Sequence, residues 1–300
     1  MAGDCGREPR RIVRGLMTVD VGVIGLGAMG EPIAGLLLKA RFPVSVCDVR
    51  RDPVERLAKL GARPCASARE VARHSEIIVS LVSDASQTMD IVSGDSGLLA
   101  EIRPGAIVAI GSTLGPEPVR TIAEALGPRQ AHVLDIPISG GLVAAREGTL
   151  SVMAGGDAAA IDRAMPVLRV FASEITRTGG VGSGQTAKLA HQLVFGVNVM
   201  ALLEGLALGV AGGLEPDVLK QVLGRGLANS AVLQAWPDLG PRWKGMLEAT
   251  PPGATPPNMR KDLHLVLEFA RGIGVPLFIG SQASVIADAG IATGHGDSRL

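Results

Sequence analysis

The chain has 300 residues, of which 47% are hydrophobic and 19% charged, a composition typical of globular proteins and not of disordered ones. Its 29 Lys and Arg residues balance its 29 Asp and Glu residues, which argues against nucleic acid as a partner. Tyrosine is absent, so a mechanism that needs a Tyr proton donor is excluded.

The cysteines and histidines indicate neither disulfides nor a metal site. The chain has three cysteines and five histidines, and none of them form a CxxC, HxxxH or HExxH pattern. An odd cysteine count fits a reducing compartment, and we expect a cytoplasmic protein. Residues 1–17 carry arginines but no apolar core segment, so we predict a short disordered extension rather than a secretory signal.

Between residues 18 and 182, short apolar runs alternate with helical patterns. We predict strands at 19–25, 44–49, 77–82, 106–112, 131–138 and 149–156. We predict helices at 28–40, 53–60, 86–92, 116–126 and 157–172. Alternating strands and helices are typical of α/β proteins with a doubly wound parallel sheet, and such apolar strands fit a sheet that is covered on both faces.

After residue 182 the pattern becomes entirely helical. We predict helices at 185–213, 216–228, 261–273 and 281–292, with a Pro-rich loop at 248–258. The chain is therefore predicted to consist of an α/β domain at 18–182 and an all-α domain at 183–300. The apolar run at 193–213 is nearly long enough to cross a membrane, but it contains Asn198 and Glu204. We expect a helix buried between protein layers, and no membrane.

The stretch "GLGAMG" at 25–30 places glycines at the GxGxxG spacing, directly after a predicted strand and at the start of a predicted helix. Such glycines permit a tight turn, a close approach of the backbone to a pyrophosphate, and close packing of helix on strand. This context predicts a dinucleotide site and disfavours the alternative, a Gly-rich turn without a ligand. The predicted cofactor-binding residues of the loop are Gly25, Leu26, Gly27, Ala28, Met29 and Gly30.

Asp48 ends the second predicted strand, at the distance from the glycines where an acid reaches the adenosine ribose. A carboxylate there favours NAD, and we include its neighbour Val49 in the site. Arg50 and Arg51 follow and could instead receive the 2′-phosphate of NADP, which stays open. A role for Asp48 as a helix cap is the alternative. Leu81 and Val82, which end the predicted strand at 77–82, complete this side of the cofactor site.

Ser139, Gly140 and Gly141 follow the predicted strand at 131–138, at the strand end where doubly wound sheets bind ligands. A hydroxyl and unhindered backbone N–H groups can surround a carboxylate. The alternative is a turn that needs glycine for its backbone angles. These groups predict a small carboxylate as substrate.

Five segments in order resemble the β-hydroxyacid dehydrogenases, the group that includes 3-hydroxyisobutyrate dehydrogenase and tartronate semialdehyde reductase. They are "VGVIGLGAMG" (21–30), "IGSTLGP" (110–116), "DIPISGGLVAAREGTLSVMAGG" (135–156), "GSGQTAKLAHQ" (182–192) and "RKDLHLVLEFARGIGVPLF" (260–278). The resemblance covers the chain from residue 18 to about residue 292.

This resemblance implies a Rossmann domain, a long interdomain helix from near Ser183, a helical C-terminal domain, and a homodimer or homotetramer. It also implies a substrate carboxylate held by residues 139–141. Thr113 would lie by the nicotinamide, Lys188 would be the catalytic lysine, and Lys261 would contact cofactor or substrate from the second domain. The implied activity is NAD(P)-dependent hydride transfer at the hydroxyl-bearing carbon of a small acid.

The residues around Lys188 agree with this role. On a helix, Lys188, His191 and Gln192 share one face. A lysine is a poor base at neutral pH unless burial lowers its pKa, so catalysis requires a buried Lys188. An exposed, solvated lysine is the alternative.

The chain departs from the family pattern at three places. His191-Gln192 stands where relatives usually carry Asn-Asn or Asn-Gln, Gly111 replaces a common acid, and a Pro-rich segment precedes Lys261. Gln192 is expected to hydrogen-bond a substrate hydroxyl. His191 either adds positive charge at low pH or makes a supporting hydrogen bond. Imine reductases share this architecture and are one alternative function, although Lys188 counts against it, and His191 keeps a non-catalytic nucleotide-binding protein as another.

Overall fold

The structure is a computed structural model that describes residues 19–235, 257–290 and 292. The predicted extension at 1–17 lies outside these residues, and so does the predicted loop at 248–258 except for its last two positions. Within the described chain, an α/β region precedes a helical region.

The described strands form one sheet with the order β3-β2-β1-β4-β5-β6-β8-β7, and β9 pairs with β8. Their bounds are β1 Val21–Ile24, β2 Val44–Cys47, β3 Arg63–Pro64, β4 Ile77–Ser80, β5 Ile107–Ile110, β6 His132–Asp135, β7 Ile138–Ser139, β8 Leu150–Gly156 and β9 Ala172–Gly179. Strands β1 to β6 are parallel. The central strands are buried along their whole length, because helices cover both faces.

The helices on the sheet are α1 Gly30–Lys39, α2 Arg51–Lys59, α3 Ala68–His74, α4 Ala85–Ser93, α5 Pro116–Leu126, α6 Gly141–Glu147 and α7 Ala158–Phe171. They divide the apolar core into two clusters, one on each face of the sheet. The predicted doubly wound α/β fold is confirmed. Asp157 caps α7 as predicted, because its side chain accepts a hydrogen bond from the backbone N–H of Ala160.

The far edge of the sheet differs from the sequence-based picture. Strand β8 runs antiparallel to β6 and to β7, so the parallel sheet continues into a mixed edge. The segment predicted as a loop between Ser139 and the strand at 149–156 contains the helix α6, which ends at Glu147 and is followed by Gly148 with φ 70°. Strand β9 was not predicted, because most of its residues are exposed and it lacks the apolar run of the other strands.

The C-terminal region consists of α8 Ser183–Ala211, α9 Pro216–Arg225, α10 Ala231–Gln234, α11 Pro257–Gly272 and α12 Phe278–Gly290. Helix α8 has 29 residues and contacts β6 and β8 near its start and the other C-terminal helices along its body. The long helix joining an α/β domain to a helical domain is therefore confirmed. A third apolar cluster surrounds the body of α8.

Two glycines let neighbouring helices approach α8 closely. A Cβ atom at Gly196 would lie 2.9 Å from Leu263, and one at Gly209 would lie 2.3 Å from Leu219. The face of α8 that carries Val194 and Leu208 is open in the single chain, with these residues 60% and 77% exposed. The expected burial between protein layers is therefore seen for only part of the surface of α8 in the single chain. By length and hydropathy alone α8 could span a membrane, and 33% of its most apolar window is buried.

Candidate active site

Two adjoining cavities form one cleft along the ends of the parallel strands. The first has about 740 Å³ and is lined by the glycine loop, the end of β2 and the residues after β4. The second has about 650 Å³ and extends from the glycine loop to α8 and α11. Gly27, Leu81, Val82 and Ser83 line both cavities, so a single elongated ligand can pass from one to the other.

The glycine loop fits a dinucleotide. Gly25 has φ 87°, which favours glycine, and a Cβ atom at Gly30 would lie 1.8 Å from the carbonyl oxygen of Gly25. No atom lies within 4 Å of a Cβ built at Gly27, which therefore leaves room for a pyrophosphate. No side chain caps the start of α1, so its N-terminus can receive the phosphates.

The other loop residues divide between cleft and core. Ala28 and Met29 line the second cavity, whereas Gly30 lines neither cavity and acts through its close packing. Leu26 is 1% exposed and belongs to the core, so its predicted place in the cofactor site reduces to backbone hydrogen bonds. Its N–H donates to Asp48 Oδ2 at 2.6 Å.

Asp48 joins the end of β2 to the glycine loop. Its carboxylate accepts from Leu26 N, and from Arg50 N at 2.8 Å and Arg50 Nε at 3.2 Å. Burial raises the pKa of Asp48, but these hydrogen bonds outweigh it and hold the pKa below its usual range. Asp48, Val49 and Arg50 line the first cavity together, and Val49 is fully exposed to it.

Asp48→Ala is expected to weaken NAD⁺ binding by about tenfold, because a carboxylate that can accept ribose hydroxyls is lost. NADP⁺ binding should weaken less, since Arg50 loses its partner and becomes free to pair with the 2′-phosphate. Titration of both cofactors by fluorescence measures the two affinities. Asp52→Ala, which removes an exposed acid four residues further on, is the matched control. An equal loss for the two cofactors would contradict this role of Asp48.

Leu81, one of the predicted cofactor-site residues, bears on the departure from the family pattern at Gly111. Leu81 follows β4 and lies against the glycine loop. A Cβ atom at Gly111 would lie 2.6 Å from Leu81 Cδ2, so an acidic side chain at position 111 would collide with Leu81 unless Leu81 moved.

The second cavity brings the predicted substrate residues together from distant parts of the chain. Ser139, Gly140 and Gly141 line it together with Lys188, His191 and Gln192. Thr113 and Lys261 also line it. The geometry therefore places the loop predicted to bind a carboxylate, the buried amine of Lys188 and the residue predicted to lie by the nicotinamide around one space.

The start of α8 is anchored to the sheet by Asp135, which sequence reasoning missed. Asp135 is fully buried at the end of β6, and its carboxyl accepts from Gly182 N and Gln185 N, each at 2.8 Å. Burial raises the pKa of Asp135 and these hydrogen bonds oppose the rise. Because α8 begins here, Asp135 determines where Lys188 enters the cleft.

Gln185 is a second missed residue, and it holds the loop that carries Thr113. Its Oε1 accepts from Leu114 N at 3.0 Å and Gly115 N at 3.2 Å, and its Nε2 donates to Ser112 O at 2.8 Å. Gln185 and its partners are 70 or more residues apart in sequence, so no local pattern predicts these contacts.

Lys188 is buried, with 6% of the residue exposed, in agreement with the requirement for a base. Burial lowers its pKa to about 8, against the attraction of Asp262, which raises it, while Lys261 lowers it further. An amine with this pKa exchanges a proton near neutral pH.

His191 and Gln192 are part of a row of hydrogen-bonded side chains, so their polar atoms already have partners within the protein. His191 Nε2 lies 3.2 Å from Ser139 Oγ, and its Nδ1 lies 3.0 Å from Gln192 Oε1. Gln192 Nε2 donates to Asp262 Oδ2 at 2.6 Å. Burial, and next the charge of Lys188, lower the pKa of His191, so positive charge on this ring at low pH is disfavoured. The supporting hydrogen bond is the better of its two predicted roles.

Lys261 links the helical region to the α/β region. Its Nζ donates to the carbonyl oxygen of Thr113 at 2.9 Å and lies 3.2 Å from Asp262 Oδ1. Asp262 was not singled out from the sequence, although it stands beside Lys261 in the quoted "KDL" segment. Across the described residues, no group of three or more His, Cys, Asp or Glu side chains could hold a metal ion.

Two family models together match nearly the whole chain. The NAD binding domain of 6-phosphogluconate dehydrogenase matches residues 20–180. The model described as NAD-binding of NADP-dependent 3-hydroxyisobutyrate dehydrogenase matches residues 182–299.

Individual relatives match over similar lengths. L-threonate dehydrogenase of Cupriavidus necator is 36% identical, with 93% of each chain covered. The crystal structure of a 3-hydroxyisobutyrate dehydrogenase from Salmonella typhimurium is similar with a TM-score of 0.79 at 32% identity, covering 93% of this chain and 96% of that one. A 3-hydroxyisobutyrate dehydrogenase of Mycobacterium tuberculosis, solved with L-serine, has a TM-score of 0.83 at 26% identity, covering 94% and 96%.

Proposed function

The chain belongs to the β-hydroxyacid dehydrogenase family and is an NAD(P)-dependent oxidoreductase, and from this premise we propose its substrate class and its proton-transfer residue. The substrate is a small β-hydroxy acid of about the size of 3-hydroxyisobutyrate. Lys188 acts as the general acid and base at its hydroxyl group.

The observation that carries the proposal is the position of Lys188 in the second cavity. Its amine is buried, its pKa is lowered to about 8, and it lines the same cavity as the loop at 139–141. The unhindered backbone N–H groups of Gly140 and Gly141 can hold the carboxylate. An acid bound there by its carboxylate extends toward Lys188, and the cavity limits its size.

The proposed chemistry divides between cofactor and protein. When bound, NAD⁺ or NADP⁺ supplies the hydride acceptor for the oxidation. Lys188 takes the hydroxyl proton at its unprotonated Nζ, and it returns this proton when the reaction runs toward the alcohol. The loop at 112–115, pinned by Gln185, and the carboxylate loop orient the acid between them.

The names of the relatives support a small acid and differ in its identity. They are dehydrogenases of L-threonate and of 3-hydroxyisobutyrate, and one was solved with L-serine. Lys188 supplies the base that alcohol oxidation needs for its hydroxyl proton, and L-threonate dehydrogenase, a relative that the chain matches nearly from end to end, is a hydroxy-acid dehydrogenase by name. The proposal also includes a homodimer or homotetramer, supported by the open apolar face of α8 at Val194 and Leu208.

The pH dependence of turnover tests the role of Lys188. For oxidation, kcat/KM is expected to rise about tenfold per pH unit below pH 8 and to level off above it, because the base must be unprotonated. For reduction, the rate should instead fall as the pH rises through 8, because the acid must be protonated. The charged or titratable groups near Lys188 are Asp262, Lys261 and His191.

The measurement is a pH profile with NAD⁺ and NADP⁺ against a panel of small 3-hydroxy acids, and with the reduced cofactors against the corresponding aldehydes. The pKa of His191 is lowered from its usual value, so its titration lies below this window. Profiles that rise or stay level in both directions through pH 8 would show that another group transfers the proton.

A further inference from the structure

A row of four side chains crosses the wall of the second cavity. It runs from Ser139 Oγ to His191 Nε2 at 3.2 Å, from His191 Nδ1 to Gln192 Oε1 at 3.0 Å, and from Gln192 Nε2 to Asp262 Oδ2 at 2.6 Å. Ser139 comes from β7, the next two residues from α8, and Asp262 from α11. The row therefore exists only in the folded chain.

The direction of every hydrogen bond in this row follows from its acidic end. A carboxylate can only accept, so Gln192 turns its NH₂ group toward Asp262 and its carbonyl oxygen toward His191. This oxygen also only accepts, so His191 must carry its proton on Nδ1. Its Nε2 is then a lone pair, and the Ser139 hydroxyl must be the donor in the last bond.

The surroundings support this neutral tautomer of His191. Burial and the nearby charge of Lys188 lower its pKa, which favours the neutral ring that carries a single proton. The ring of Phe195 stacks against it with centroids 6.4 Å apart and planes 22° from parallel. Asp262 has its second oxygen 3.2 Å from Lys261 Nζ, which keeps the carboxylate paired.

The Ser139 hydroxyl has one proton, and it donates this proton in its hydrogen bond to His191. The Ser139 oxygen therefore faces the cavity with lone pairs only. A substrate carboxylate oxygen beside it would meet an acceptor, whereas a substrate hydroxyl would meet a partner. The carboxylate is then left to the N–H groups of Gly140 and Gly141.

We propose that the row from Asp262 to Ser139 makes this site select acids that carry a second hydroxyl group next to the reacting one. This inference rests on the proposed function and assigns Ser139 to that second hydroxyl. His191 is a positioning residue, because it acts through Ser139. A hydroxyl fits better than an ammonium group, since Lys188 lies close enough to affect the charge of His191 and would repel a second cation.

Binding of a matched pair of acids tests the selection without turnover. Glycerate and 3-hydroxypropanoate differ by one hydroxyl, and neither reacts when the enzyme holds NADH. Calorimetry on the enzyme with NADH is expected to show that one enantiomer of glycerate binds about tenfold more tightly, the size of one net hydrogen bond. Equal binding, or tighter binding of 3-hydroxypropanoate, would overturn the proposal. Tighter binding of serine than of glycerate would overturn the choice of hydroxyl over ammonium.

Variants of His191 test the role of the row. His191→Phe keeps a ring beside Phe195 and removes both nitrogens, so the preference for glycerate should fall toward unity. His191→Gln should restore part of it, because an amide can accept from Ser139 and donate to Gln192. A loss of affinity for both acids by the same factor in His191→Phe would mean a merely structural role.

A third readout needs neither substrate nor variant. Nitrogen-15 NMR of the whole protein with labelled histidine is expected to show His191 with its proton on Nδ1, and a proton on Nε2 would overturn the proposal. The binding and NMR results are independent of catalysis. If no hydroxy acid is oxidised while the glycerate preference and the Nδ1 proton are found, the proposed function fails and this inference stands.

Discussion

Lys188→Ala is expected to lower kcat for oxidation by about 10²–10⁴-fold, the usual contribution of a general base. The affinity for NADH should stay unchanged, because Lys188 lines the substrate side of the cleft and not the first cavity. The remaining rate should also lose its dependence on pH around 8, since the group with that pKa is gone. Steady-state kinetics and a fluorescence titration with NADH measure these effects.

Two further variants make this test specific. Lys220→Ala removes an exposed lysine that pairs with Asp217 at 3.0 Å on the neighbouring helix α9, and kcat should not change. Lys188→Arg keeps a positive charge but cannot give up its proton, so it should be nearly as slow as Lys188→Ala. Normal turnover in either Lys188 variant would remove this residue from the mechanism.

Asp135→Ala is expected to lower the free energy of unfolding by about 2–5 kcal/mol, because buried N–H groups at the start of α8 lose their acceptor. A water molecule has little access there, since Asp135 is fully buried. Urea unfolding followed by circular dichroism measures the change. Activity should fall as well, because the same hydrogen bonds determine where Lys188 enters the cleft.

The control for this change is Asp157→Ala, which also removes an acid that accepts from the start of a helix. Asp157 accepts from Ala160 N at 2.9 Å in a partly buried position, so its loss should cost about 1 kcal/mol. The loss of unfolding free energy in Asp135→Asn should lie between those of Asp135→Ala and Asp157→Ala. One oxygen remains as an acceptor, while the new amide group faces an N–H group with which it cannot pair. If Asp135→Ala costs no more than Asp157→Ala, the burial of Asp135 contributes nothing to the stability of this junction.

Local patterns in the sequence were sufficient for most of the fold. The buried strands could be found from their apolar runs, and the glycine loop from its spacing between a strand and a helix. The long helix could be found because its helical pattern from 185 continues into the apolar run at 193–213. Strand β9 could not be found, since its charged and exposed residues are extended only because β8 offers them backbone partners.

The candidate site divides in the same way. Lys188, Ser139, Gly140 and Gly141 could be proposed because motifs in register place them, and their roles stay predictions. Asp135, Gln185 and Asp262 could not, because an acid or an amide becomes an anchor only through the groups that surround it. Gly111 shows the converse, since the side chain that a larger residue there would meet belongs to Leu81, which follows the neighbouring strand β4.

The types of residue and their spacing along the chain were therefore enough to predict a Rossmann domain, a nucleotide-binding loop and a lysine near the start of an apolar helix. Protonation and hydrogen-bond direction depended on tertiary contacts, because both are properties of pairs of groups. Lys188 has a pKa of about 8 because of burial, with Asp262 opposing the shift. Ser139 donates to His191 because the carboxylate of Asp262, more than 100 residues later in the chain, determines the direction of the hydrogen bonds that join them.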